Sequence, residues 1–321
     1  MTSLDWLLES DPSIRWQAIR DLTESPVNDS TIQPVSSDRA RIPHEGLGAK
    51  VLSNQQANGS WLRTDEPRWA STLVTMLLLR SMGVDPADPA VDEAVVRLET
   101  SLCWDDNPGF WDLRPPTPGG NPFFEGEEEP CINGGVLALG GYFGRPSSTL
   151  AQRLISQQLE DGGWNCDAPT SKRSSFHTTI CVLEGLLEYE RAASGASEIS
   201  SSPEIAAART RGEEYLLQRH LFRRLSTGGV ANAEFLELAF PPRYHYDILR
   251  ALDYFRMANR TDPRLSETMG ILKSRRQPDG RWLLDNAYDE ALPFPVGEAV
   301  GGPSHWNTLR ALRVLRWYEG Q

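Results

Sequence analysis

Three copies of one short turn punctuate this chain. Gln55-Gln56-Ala57-Asn58-Gly59-Ser60-Trp61 matches Gln158-Leu159-Glu160-Asp161-Gly162-Gly163-Trp164, and Arg276-Gln277-Pro278-Asp279-Gly280-Arg281-Trp282 is a third copy. A shorter one, Asn107-Pro108-Gly109-Phe110-Trp111, keeps only Gly-x-Trp. The tryptophans fall at 61, 111, 164 and 282, so the steps are 50, 53 and 118, the last being two units of 59 around a degenerate copy. A period near 50 residues fits one helical hairpin with its loops.

Each unit has the same grammar. A helix ends in the Asp/Asn-Gly-x-Trp turn, where Gly permits the left-handed conformation that stops a helix and Asp or Asn tolerates the turn. A polar loop follows, then a second, more apolar helix: Ala70–Met82, Ile132–Phe143, Phe176–Arg191, Tyr244–Met257 and His305–Tyr318. Helices apolar on most faces are buried. The first helices, such as Ala151–Glu160 and Glu213–Arg223, mix charge with apolar positions and suit an outer layer. Sustained period-two alternation is absent, so no strands are expected. The expected architecture is all-α, an (α/α) toroid of about five to six hairpins with inner and outer helix layers. The toroid domain spans 46–321, and 1–45 is an N-terminal helical extension and connector: an amphipathic pair over 3–24, then a polar connector over 25–45. Residues 194–203 read as a loop.

Composition bounds the function. The chain has 321 residues, 39% of them hydrophobic, enough for a real core. A net charge of −12 repels nucleic acid and anionic membrane surfaces. No apolar run approaches the roughly 20 residues that cross a bilayer, and no leader is visible at Met1. Cys103, Cys131, Cys166 and Cys181 show no CxxC spacing, and a cytoplasmic protein with reduced thiols is the simplest reading.

The Gln-x-x-x-Gly-x-Trp segments at Gln55–Trp61 and Gln158–Trp164 resemble the QW repeats of squalene-hopene cyclases and related triterpene cyclases; the third copy departs at Arg276. The resemblance covers roughly residues 46–321 as a hairpin pattern. The motif residues themselves carry a structural role, tying an outer helix to its neighbour. The resemblance implies an enzyme acting on a hydrophobic, isoprenoid-type substrate in the central cavity by cyclisation, isomerisation or group transfer; a non-catalytic ring that binds a lipid or a protein is the alternative. Those cyclases protonate their substrate with an Asp-x-Asp-Asp segment, which this chain lacks. Before its second inner helix stands Glu125-Gly126-Glu127-Glu128-Glu129-Pro130-Cys131-Ile132-Asn133. Clustered carboxylates raise one another's pKa, which makes Glu127 and Glu129 candidate acids. The competing reading is a solvated acidic loop at a helix N-terminus.

The ring also resembles the β-subunits of protein prenyltransferases, which bind zinc through Asp-x-Cys at one inner-helix start and His at the next. Glu129-Pro130-Cys131 resembles the first element and Phe176-His177-Thr178-Thr179 the second, 46 positions on. This implies a Zn²⁺ site of Glu129, Cys131 and His177, with Cys166 as a further ligand, although Glu replaces Asp and a Cys and a His on buried helices also serve as core residues. If the ring closes, inner-helix first turns face one cavity mouth. There Trp69, Phe176, Tyr244, Tyr246 and Trp306 give an aromatic lining able to stabilise a cation, Arg173 and Arg243 are available to an anionic head group, and His177 and His245 are candidate catalytic groups. His245 and Asp247 are too close along one helix to form a dyad.

Overall fold

The computed structural model describes residues 1–23, 36–63, 65–105, 112–195 and 202–320. The Gly-x-Trp copy at 107–111 and most of the 194–203 loop lie outside these residues, as does the first part of the 25–45 connector; residues 36–41 of the connector are helical. Besides the 36–41 segment, twelve α-helices lie among the described residues: α1 (Ser3–Leu8), α2 (Pro12–Leu22), α3 (Gly46–Ser53), α4 (Arg68–Met82), α5 (Pro89–Ser101), α6 (Pro130–Tyr142), α7 (Ser148–Ser156), α8 (Phe176–Gly195), α9 (Pro203–Leu217), α10 (Ile248–Met257), α11 (Ser266–Ser274) and α12 (His305–Glu319).

They form six hairpins, the odd helix outside and the even helix inside. All six even helices line one central cavity, as do Ser36, Arg39 and Ala40 of the 36–41 segment, and none of the described residues of the odd helices does. The ring closes through identifiable contacts. Trp16 Nε1 on α2 donates to Met82 O at the end of α4 (2.8 Å), and α4 packs on α6. Glu184 on α8 pairs with Arg250 on α10 (2.7 Å). Arg313 on α12 reaches Asp253 on α10 (3.3 Å) and Gln17 Oε1 on α2 (2.8 Å). The packing is continuous across residue 45: Leu47 N donates to the Asp11 carboxylate (2.8 Å), α2 packs on α3 and α12, and Trp16 and Gln17 of α2 bond the end of α4. No described helix is long and apolar enough to cross a membrane.

The α6–α8 contact is the tightest in the ring, and glycine makes it so. A Cβ on Gly185 would lie 2.4 Å from Gly134 O, and one on Gly134 would lie 2.4 Å from Cys181 O. The two helix backbones touch with no side chain between them.

The repeated turns are built alike. Gly59, Gly162 and Gly280 have φ of +80°, +96° and +83°, a region open to glycine. Trp61, Trp164 and Trp282 are fully buried. Each indole N–H donates to the carbonyl ten residues earlier, on the outer helix: Val51, Leu154 and Leu272, at 2.7, 2.6 and 2.9 Å. Each Trp backbone N–H donates to a threonine near the start of the following inner helix, Thr72, Thr179 or Thr308, at 3.3, 3.1 and 3.0 Å. Gln55 and Gln158 bond the turn's glycine carbonyl and also a carbonyl of the next outer helix, Ala94 or Ala208. Arg276 keeps the first of these bonds, to Gly280 O (3.3 Å). Between the second and third tryptophans, the buried Phe222 falls 58 residues after Trp164, where the degenerate copy is expected.

Three expectations need correction. Helix α9 stops at Leu217 rather than near 223, because His220 and Leu221 take left-handed φ of 46° and 65°. Helix α10 starts at Ile248 rather than Tyr244: Pro241 and Pro242 precede, Arg243 has φ +47°, and Asp247 caps the helix through Arg250 N (2.8 Å). Short antiparallel strands do occur, β1 (Cys103–Trp104) between β2 (Leu113–Arg114) and β3 (Asn121–Pro122), and β4 (Trp282–Leu283) with β5 (Pro303–Ser304). At two residues each they are too short to carry an alternation signal.

Candidate functional site

The segment before α6 is folded onto its own helix by Asn133. Its side-chain amide clamps the Glu127 peptide from both sides, Oδ1 accepting Glu127 N–H and Nδ2 donating to Glu127 O, each at 2.8 Å. Gly126 permits the clamp, since a Cβ there would lie 2.2 Å from Asn133 Oδ1. Arg153 on α7 adds a bond to Glu127 O (2.6 Å). The backbone of Glu127 is therefore fixed, and its side chain is turned inside.

Glu127 is 6% exposed. One carboxyl oxygen accepts the Glu129 N–H at 2.6 Å; the other is buried and has no hydrogen-bond partner among the described residues. Burial raises its pKa from the ordinary 4.5 to about 8, against the lowering effect of the backbone N–H bonds. A carboxyl so placed is protonated at neutral pH and is a proton donor in waiting. It lines a cavity of about 930 Å³ together with Glu128, Glu129, Cys166 and Trp104.

Beside it, Glu129, Cys131 and Cys166 bring a carboxylate oxygen and two sulfurs within 4.8 Å of one another. Cys131 Sγ lies 3.7 Å from Glu129 Oε2, and Cys166 Sγ lies 3.5 Å from Thr178 Oγ1. The two thiols are unequal. The Cys131 thiol points at Glu129 Oε2, and the neighbouring Cys166 together with burial pushes its pKa up; Cys166, with Cys131 and Thr178 beside it, is lowered. An S, S, O donor set leaving one position open is of the kind zinc accepts.

His177 is not part of this group. Its Nδ1 is taken by the Tyr246 N–H (2.9 Å), and its ring lies among Phe235, Tyr244 and His245. His245 sits in the loop before α10, stacked on Tyr288 at 3.5 Å and on Tyr244 at 4.3 Å. Burial, then His177, lowers its pKa to about 4, so it is neutral at pH 7. Phe176 and Tyr246 pack with Phe235, and the Tyr246 hydroxyl donates to Leu221 O (2.6 Å). Tyr244 is 45% exposed and Arg173 is exposed. Trp69 is half-buried against the core, its N–H bonded to Asp112 (2.9 Å).

Of the seven expected substrate contacts, Arg243 and Trp306 line the central cavity. Trp306 stacks on Phe240 (4.3 Å), and Arg243 is held by Glu66 (3.2 Å) and Glu290 (2.6 Å). The acid and thiol cluster opens into the other cavity. Two features were not anticipated. One is the Asn133 clamp. The other is the charge in the central cavity, whose signal is the three-residue spacing Arg250-x-x-Asp253-x-x-Arg256 and Arg310-x-x-Arg313 on helices that otherwise read as apolar.

The fold is thus an α/α toroid with an acid and thiol cluster at the inner-helix N-termini. No protein-family model matches the chain, and no curated protein matches it. Among solved structures it is similar to a protein from Actinoplanes, at 15% identity over 99% of this chain and 97% of that one, with a TM-score of 0.46. It is also similar to the type II terpene cyclase MstE from Scytonema, at 15% identity over 95% of this chain and 86% of that one, with a TM-score of 0.41. Likenesses of this size say nothing of the residues of a site.

Proposed function

We propose that this chain is an enzyme that protonates a hydrophobic, isoprenoid-type substrate, with Glu127 as the acid. The observation that carries the reading is the Glu127 carboxyl itself. It is buried, clamped through its peptide, raised to about 8, and has one oxygen without a partner beside a cavity. In the step, the carboxyl O–H bond breaks and its proton adds to one carbon of a substrate double bond. A carboxylate is left on Glu127 and a cation on the substrate, which an internal double bond or loss of a proton resolves. The Glu129 N–H, already bonded to Glu127, steadies the carboxylate that forms. Glu129, Cys131 and Cys166 fit a zinc ion by donor type, and zinc held there would supply a Lewis acid next to the proton donor.

The test is incubation of the purified protein with linear polyene isoprenoids in deuterated water, followed by mass spectrometry. Deuterium in a product with wild-type protein, and a loss of about 100-fold or more with Glu127→Gln at unchanged circular dichroism, is the expected result. Turnover that survives in Glu127→Gln removes the proposal. Saturable binding without product favours the non-catalytic ring.

A further inference from the structure

We infer that the central cavity of the ring is a binding site for a phosphorylated small molecule, whose phosphate or diphosphate is held by Arg313, Arg310 and Arg256. This site is separate from Glu127 and its cavity. It stands on arginine geometry and does not depend on the protonation chemistry.

The charge balance of the cavity departs from that of the chain. The whole protein carries −12, yet nine of its 32 basic residues line this one cavity of about 790 Å³, against four carboxylates in the lining and Asp21, Glu66 and Glu290 just outside it, which hold Arg20, Arg313 and Arg243. The volume is that of a small-molecule site. Glu184 pairs with Arg250, but Asp253 and Glu188 are each shared. Asp253 alone faces Arg256 at 2.7 Å, Arg313 at 3.3 Å and Arg310 at 3.6 Å. Glu188 faces both Arg80 at 2.6 Å and Arg191 at 3.8 Å. Three guanidiniums offer about 15 N–H donors and one carboxylate about four acceptor sites; Arg313 also donates to Gln17 Oε1 and Asp21, and Arg310 to Ala239 O, which still leaves Arg313 Nε without an acceptor among the described residues.

Arginines at helix C-termini also serve to satisfy helix carbonyls, and some here do: Arg39 donates to Gly83 O and Arg191 to Met257 O. Arg313 and Arg80 are different. The Arg313 side chain is only 9% exposed, and its Nε has no hydrogen-bond partner among the described residues; the same is true of Arg80 Nε. A buried, unpartnered guanidinium N–H costs free energy in the folded chain unless something accepts from it. Burial pulls Arg313 below the usual arginine range, while Arg256, Arg313 and Arg310 together hold Asp253 far below the usual carboxylate range despite its burial. The Asp253 shift reports the positive charge gathered around its carboxylate. A tetrahedral phosphate, with its several acceptor oxygens, matches converging guanidiniums.

Titration calorimetry of the full chain with inorganic diphosphate tests the site. Saturable binding is expected, weakened about tenfold or more by Arg313→Gln or Arg310→Gln, as for one lost charge-assisted contact. It should be unchanged in Arg224→Gln, whose side chain is exposed and outside the cavity. It should also be unchanged in Glu127→Gln, which separates this site from the acid. Should the arginine variants not fold, dicarbonyl labelling of the wild-type protein gives the answer: diphosphate should protect Arg313, Arg310 and Arg256 from modification. No saturable heat at millimolar diphosphate, binding indifferent to the cavity variants, or labelling of these arginines unaltered by diphosphate each overturns the assignment.

Discussion

The indole N–H of Trp164 ends on the carbonyl of Leu154, 2.6 Å away and fully buried. The bond joins the turn to the body of the outer helix, and its equivalents recur at Trp61 and Trp282. Trp164→Phe keeps the ring packing but strands the Leu154 carbonyl. It should lower stability by about 1–3 kcal/mol, measured by urea unfolding with circular dichroism. A loss within experimental error would mean that water replaces the indole and that the repeat is held by ring packing alone.

Glu127 makes stability depend on pH with a definite sign. In the unfolded chain it ionises near 4.5; in the folded chain it keeps its proton to about 8. Between these values the folded state binds more protons, so stability falls as pH rises from 4.5 to 8 and then levels off. Glu127→Gln removes that slope. Relative to wild type it should gain on the order of a few kcal/mol between the two ends of this window. Parallel pH profiles for the two proteins would place the Glu127 carboxyl in water.

His245 acts with the opposite slope. Its pKa is about 4 in the fold against an ordinary 6.5, so the folded state binds fewer protons between these values. Stability is therefore lost as pH falls from 6.5 towards 4. NMR titration of the His245 ring should show it neutral at pH 6; a midpoint near 6.5 would overturn this.

The zinc reading separates Cys166 from His177. Elemental analysis of protein grown with zinc should find about one ion per chain. Cys166→Ser and Cys131→Ser should each abolish it, whereas His177→Ala should leave it in place, since Nδ1 of His177 is bonded to Tyr246 and the ring is outside the Glu129–Cys131–Cys166 group. Zinc that depends on His177 would require the group to rearrange.

The backbone contact between α6 and α8 leaves no space for a methyl group. Gly185→Ala places a Cβ 2.4 Å from Gly134 O, an atom that cannot rotate away. A loss of about 1–3 kcal/mol or more is expected in thermal or urea unfolding. Gly270→Ala, on the outer helix α11 with nothing within 4 Å of its Cβ position, should be neutral or stabilising.

The architecture is legible in the chain because its signal is periodic: Gly-x-Trp at fixed spacing sets where hairpins turn, and apolar second helices set which layer is inside. The 3–24 pair carries no Gly-x-Trp, yet α2 packs on α12 and bonds the end of α4, because a helix can complete a ring by its packing surface alone. The site is less legible, for three physical reasons. Glu127 and Glu129 look alike in sequence, and only the Asn133 clamp decides which is buried. His177 is one helix start away from Cys131, but its direction is fixed by a bond from the loop before α10, a long-range contact. Tyr244 and His245 read as a first helical turn, but the Asp247 cap and the two prolines move them onto a loop. The arginines of the cavity were visible as residues, but spacing alone does not tell which side of a buried helix faces an axis.

The glycine contact between α6 and α8 also makes the ring mechanically uneven. Two of its six staves are fused along their length and can neither splay nor slide without losing backbone contact. The neighbouring joint, α8 to α10, is closed by the Glu184–Arg250 side-chain pair, whereas α12 packs closely on both α10 and α2. Side chains can swing where backbones in contact cannot. Breathing motions that admit a molecule to the axis should then be confined to the arginine-bridged side, with α6 and α8 moving as one rigid body. In hydrogen exchange, the amides of α6 and α8 should be the last of the inner helices to open.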